Sequence, residues 1–164
     1  MKTVLLSLAI FAAGAASAQE PSCSMHDKHA GVAKRGDEAM GFSHETTTHH
    51  FLLQKGGGAI DVSANDAADT ASRDEIRMHL RHIAQAFAAG NFDLPMFVHD
   101  RVPPGVREMQ KRKADISYRF EETERGARVV ISTGDRRALR AVHDFLRFQI
   151  EDHETGDPKQ SKSE

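Results

Sequence analysis

The side chains best suited to chemistry in this sequence are its ten histidines. A neutral imidazole binds copper, zinc, nickel or iron, and histidines gathered with a carboxylate or thioether form the usual donor set for such ions. The densest run is "MGFSHETTTHHF", Met40 to Phe51, with His44, His49 and His50. A second group follows in "DEIRMHLRHIAQAF". At 100° per residue, Ile76, Leu80, Ile83 and Phe87 define the apolar face of a helix, and Glu75, His79 and His82 form one row beside it. Two helical histidines three apart, with an acid four before the first, could hold one ion, with Glu75 as a ligand or as support for one.

The strand pattern decides which histidines of the first run can meet that row. Thr46–Gln54 reads as a strand, Gly56-Gly57 as a two-residue turn and Ala59–Ala64 as the return strand. This register pairs Leu53 with Ile60, Phe51 with Val62 and His49 with Ala64. His49 then faces the helix and His50 faces away. The expected metal site is His44, His49, His79, His82 and Glu75. A secondary cluster, "CSMHDKH", offers Cys23, Met25, His26 and His29, a soft donor set suited to copper. Copper is favoured over zinc because methionines accompany the histidines (Met25, Met40, Met78, Met96).

The remaining histidines have structural readings. Met96 and His99 lie in a proline-rich linker, Phe92–Ala114, which can hold a ligand or simply cross the helices, the second being favoured; Pro95, Pro103 and Pro104 exclude a regular helix there, and Val106–Lys113 can form a turn or two. His143 falls on a buried helical stripe and reads as a core histidine bonded to a carbonyl or carboxylate. His153 ends that helix, where a cation suits the dipole.

The elements that must position these residues form a doubled pattern. A hairpin and a helix (Arg73 to about Ala89, capped by Thr70 or Ser72) are followed, after the linker, by a second hairpin and helix. The second set has Ile116, Tyr118 and Phe120 alternating, then Val129-Val130-Ile131, then a helix from Arg136 to Asp152 after "STGD". Leu139, His143, Leu146 and Ile150 align with the apolar stripe of the first helix. The expected fold is α+β: a duplicated ββα unit forming a four-stranded antiparallel sheet with two helices packed on one face. The other face would be open. Phe148, set opposite the second helix's stripe, adds to the case for a homodimer through that face.

At the N-terminus, "MKTVLLSLAIFAAGAASA" has one lysine, an uncharged apolar run and Ala16-Ser17-Ala18, the pattern of a secretory signal over residues 1–18. Its apolar run is too short for a membrane span. Residues 19–40 are expected to be a disordered His/Met/Cys-containing segment, 41–153 a single domain and 154–164 a disordered tail. The compartment is periplasmic or extracellular. One cysteine cannot form an internal disulfide, so the fold rests on its core.

The formal net charge of −2 gives no overall signal for nucleic acid or for stable membrane insertion. Residues 101–147 are locally basic, which reads as a solvated face with an option on an anionic ligand. No serine-hydrolase elbow, zinc-protease motif or phosphate loop is present. Three functional readings remain. The first is an exported protein that buffers, sequesters or transfers a metal ion. The second is an envelope interaction or dimerisation module without metal. The third, weaker, is a metal- or haem-dependent redox enzyme.

Overall fold

The computed structural model describes residues 25–161, with side chains from residue 31 onward. The expected signal segment and Cys23 lie outside the described residues, as do the side chains of Met25, His26 and His29. The elements in chain order are helix α1 (Met25–Met40), strands β1 (Thr47–Gln54) and β2 (Gly57–Ala64), and helices α2 (Thr70–Ala89), α3 (Asp93–His99) and α4 (Val106–Lys111). A short 3₁₀ turn (Lys113–Asp115), strands β3 (Ile116–Thr123) and β4 (Gly126–Thr133) and helix α5 (Arg136–Asp152) complete the chain. No helix among the described residues is long and apolar enough to cross a membrane.

The four strands form one antiparallel sheet in the order β1-β2-β4-β3, in a mixed α+β fold. The helices cross over. α2 leaves the first hairpin and packs chiefly on β3 and β4, while α5 leaves the second and packs chiefly on β1 and β2. One core results, joining Phe51, Ile60, Val62, Val129 and Ile131 of the sheet to Ile76, Leu80, Ile83 and Phe87 of α2 and Val142, Phe145, Leu146 and Ile150 of α5.

The first hairpin differs from its expected register by two residues. The turn is Lys55-Gly56, and His49 pairs with Val62, Phe51 with Ile60 and Leu53 with Gly58. The reason lies in the glycines. A Cβ on Gly57 would sit 1.9 Å from the Ile131 carbonyl oxygen, and one on Gly58 would sit 2.5 Å from that of Leu52. Both glycines are therefore needed inside the strand, where backbones approach closely, and not in the turn. A shift of two leaves every side chain on its expected face.

Other local expectations are corrected. The α2 N-cap is Asp69, which accepts the Ser72 N–H at 3.0 Å, in place of Thr70 or Ser72. Residues 25–40 form a helix, contrary to the expected disorder. Val32, Gly36 and Met40 recur every four residues; Val32 and Gly36 are buried, and the Arg35 Nε–H donates to the Val98 carbonyl at 2.8 Å. The linker contains the helix α3 because Pro95 stands in its first turn, where a missing N–H costs no intrahelical bond. Residues 154–161 pack back on the domain. Asp157 accepts the N–H of Phe51 at 2.9 Å on the outer edge of β1, and Lys159 accepts from Arg147 through its carbonyl. An edge strand with open N–H groups supplies the reason for the first contact.

The α5 stripe is also turned from its expected setting. Ala138, Ala141, Val142 and Phe145 are buried, and Leu139 and His143 are half-buried. Phe148 is buried, with the His99 ring edge-on at 4.8 Å and the Arg101 guanidinium 4.5 Å above it, so it does not contribute to an open face.

Candidate functional site

An interior cavity of about 80 Å³ opens between α1, β1, β2, α2, α3 and α5. Its walls are largely apolar, from residues such as Phe51, Leu80 and Phe145. Four histidines from different parts of the chain also line it: His49 of β1, His79 of α2, His99 of α3 and His153 at the end of α5, together with Met40 and Gln149.

Each histidine is placed by its element. His49 alternates with the buried Phe51 and Leu53 and so faces inward. His79 lies one position before the buried Leu80 on the edge of α2. Phe42 packs against both rings, stacked on His49 at 6.1 Å and edge-on to His79 at 5.7 Å. His153 is the C-cap of α5. Its ring stacks on His49 at 6.2 Å and meets His99 edge-on at 5.0 Å.

Burial sets the charge state of His49 and His79. The His49 pKa is lowered to about 4, first by burial and then by His44 and His50, with Asp37 opposing. The His79 pKa is lowered to about 4 by burial, then by His49 and His82. Both imidazoles are therefore neutral at pH 7, with a lone pair available.

The His99 side of the cavity is a hydrogen-bonded chain. Arg101 donates to Asp152 at 3.1 Å. The other oxygen of Asp152 lies 2.5 Å from His99 Nδ1, and His99 Nε2 lies 3.0 Å from Gln149 Oε1. Gln149 Nε2 is buried without a partner. If His99 carries both protons, it donates to both neighbours and the amide NH₂ is the orphan. If it carries only the Nδ1 proton, the amide must turn over and its oxygen becomes the orphan. In either state a buried residue on the cavity wall has one unmet hydrogen-bonding group, a cost the molecule carries unless something in the cavity meets it.

The expected site is thus partly assembled. His49 and His79 come together. His44 is exposed and held by Asp37, with Nδ1 2.9 Å from Oδ2. His82 is exposed on α2, and Glu75 is half-buried but not on the cavity wall. His50 faces away and binds Asp157 at 2.8 Å. Met78 is exposed. His143 is half-buried, not in the core as expected, and it holds the Gln54 and Gly57 carbonyls, each at 2.9 Å, the kind of bond expected of it. Sequence reasoning missed His99, His153 and Gln149. For Gln149 a signal was present: it follows Val142 and Phe145 at helical spacing, a polar residue on an apolar stripe. Among the described residues, no three His, Cys, Asp or Glu side chains converge as ready-made ligands.

Comparison of the chain with protein-family models, with curated proteins and with solved structures finds no match.

Proposed function

We propose that this is an exported protein that binds a transition-metal ion, copper in preference to zinc, and buffers or hands it on. The carrying observation is the gathering of four imidazoles on one small cavity, two of them kept neutral by burial. At about 80 Å³ the cavity suits an ion with a water or two; it is well below the roughly 300 Å³ of common organic-ligand pockets. Two imidazoles on one ion, each about 2 Å from it, have ring centroids roughly 5–6 Å apart. The 6.2 Å separation of His49 and His153 lies near that spacing. The parallel rings of His49 and His153 do not yet aim at a common point, so binding requires ring rotation.

We assign His49, His79 and His153 as nitrogen donors. Met40 on the same wall supplies a thioether, which favours copper. The orphan group of Gln149 meets a water or ligand on the ion. Export rests on the pattern of residues 1–18. We further read β1-β2-α2 and β3-β4-α5 as a duplicated unit whose helices share one sheet face.

The test is calorimetric titration of the mature protein with copper and zinc beside a His49→Ala/His79→Ala double variant. Wild-type binding at least tenfold tighter than the variant supports the site; equal affinities remove it. One observation favours the second reading, a homodimer without metal. Leu52, Ala59 and Val130 stand side by side across β1, β2 and β4, on the face away from Phe51 and Ile60. Light scattering that reports a dimer indifferent to chelator would favour that reading.

A further inference from the structure

Most arginines in this fold are engaged. Arg35 and Arg125 hold carbonyls. Arg73, Arg77, Arg81, Arg101, Arg112, Arg119, Arg128 and Arg147 each hold an acid. Among the described residues, the arginines with no side-chain ion pair or hydrogen bond are Arg107, Arg136, Arg137 and Arg140. All four lie on the α4–α5 face, and Lys111 beside them is equally unengaged.

The fold builds this face. Gly105, at φ +81°, begins α4 where a Cβ would lie 2.0 Å from the Ala141 carbonyl oxygen, so α4 runs hard against α5. Arg107 and Lys111 are then one turn apart on α4, while Arg136 and Arg137 stand one turn before Arg140 on α5. Two adjoining surface grooves share Arg137 and Arg140.

Three acids also stand on these walls, each already engaged, and Glu108 and Asp135 still act on Arg137, and Glu108 on Lys111, through space. Glu108 is bonded to Arg112 at 2.6 Å, and Asp144 to Arg147 at 3.2 Å. Asp135 accepts the N–H groups of Arg137 and Ala138 as the α5 cap. The two grooves together carry six cations (Arg107, Lys111, Arg112, Arg136, Arg137 and Arg140) against these three acids, so an excess of positive charge remains along one track.

We infer that this track is a binding site for a linear polyanion carrying phosphate, sulfate or carboxylate groups. The charges run through two joined grooves, which fits an extended chain better than a single ion. The walls offer no aromatic platform for stacking bases, which argues against single-stranded nucleic acid. Guanidinium groups suit oxyanions because they donate in pairs. This inference does not depend on the metal site.

The test is binding of sodium polyphosphate and of heparin to the mature protein at 50 and 200 mM salt. Arms with inorganic phosphate and with phosphatidylglycerol vesicles accompany it. Both polymers are expected to bind, with affinity falling at least tenfold over that salt range as counterions are released. An Arg137→Ala/Arg140→Ala variant should lose at least tenfold at 50 mM salt. An Arg81→Ala/Arg119→Ala variant, which removes the same charge elsewhere, should stay within twofold. Four results each overturn the proposal: no polymer binding, an equal loss in both variants, inorganic phosphate binding as tightly as the polymers, or binding to vesicles alone.

Discussion

The ring of His49 lies parallel to that of His153, with centroids 6.2 Å apart and 9° between their planes, although one belongs to the first strand and the other caps the last helix. The contact follows from the crossing of the helices. α5 leaves the second hairpin but lies on β1, so its C-terminal end arrives beside His49. The same crossing brings Gln149 to the cavity that His49 and His79 already face, and α3 brings His99. A site shared by both halves of the fold forms only when both are folded, so its properties should report on global stability.

The first such property is pH dependence. His49 and His79 titrate near 4 in the folded state, below the usual value near 6.5. Between these values the unfolded chain binds more protons, so acid favours unfolding. Their contribution is fully present above about 6.5 and is lost as pH falls through about 4. Urea midpoints measured from pH 7.5 to 4.5 should fall, with a proton uptake on unfolding that approaches two from this pair. His79→Gln should lower that uptake by about one. An unchanged pH slope in a His49→Phe/His79→Gln double variant would show that neither residue is held neutral.

The glycines of the first hairpin give a sharper steric expectation. Gly58→Ala places a methyl 2.5 Å from the Leu52 oxygen and 2.3 Å from Leu146 Cδ1, whereas Gly56→Ala meets nothing within 4 Å. Gly58→Ala should destabilise by about 3 kcal/mol or more, and Gly56→Ala by under about 1 kcal/mol. Denaturant unfolding of the two variants side by side measures this. Equal losses would restore the turn to Gly56-Gly57.

These glycines also mark where the sequence could be read and where it could not. Alternation in β1 put His49 inward and His50 outward, because a side chain's face depends only on parity, and a register shift of two preserves parity. The stripe Ile76, Leu80, Ile83, Phe87 was readable because a single helix face meets the core. The α5 stripe was not, because its setting is fixed by Gly105 approaching Ala141 from a distant segment. Likewise, His99 and His153 join the site only through the packing of α3 and α5, which no local pattern encodes. Gln149 was the exception, a polar residue spaced as a core residue and passed over.

Tyr118 carries a buried hydroxyl without a partner, and burial raises its pKa. Its ring meets Phe87 edge-on at 5.7 Å. Tyr118→Phe keeps the ring and removes the unpaired group, so stability should be unchanged or rise by up to about 1 kcal/mol. A loss above that range in thermal unfolding would reveal a hydrogen bond to the hydroxyl in solution.

Gln149→Met separates the structural from the ligand-binding role of the cavity wall. Methionine has nearly the same length and fills the same place, and it carries no amide. The variant removes the orphan amide group but leaves His99 Nε2 without its partner, so one unmet group replaces another and one hydrogen bond is lost. Stability should therefore fall only modestly, by about 1 kcal/mol. Ion binding should suffer more. If the orphan group meets a water or ligand held on the ion, copper affinity should fall by roughly 10- to 100-fold, the usual cost of losing such support. Calorimetric titration beside a urea melt gives both numbers from one preparation. A stable variant with unchanged copper affinity would remove Gln149 from the site, and a variant that loses several kcal/mol would make its role structural.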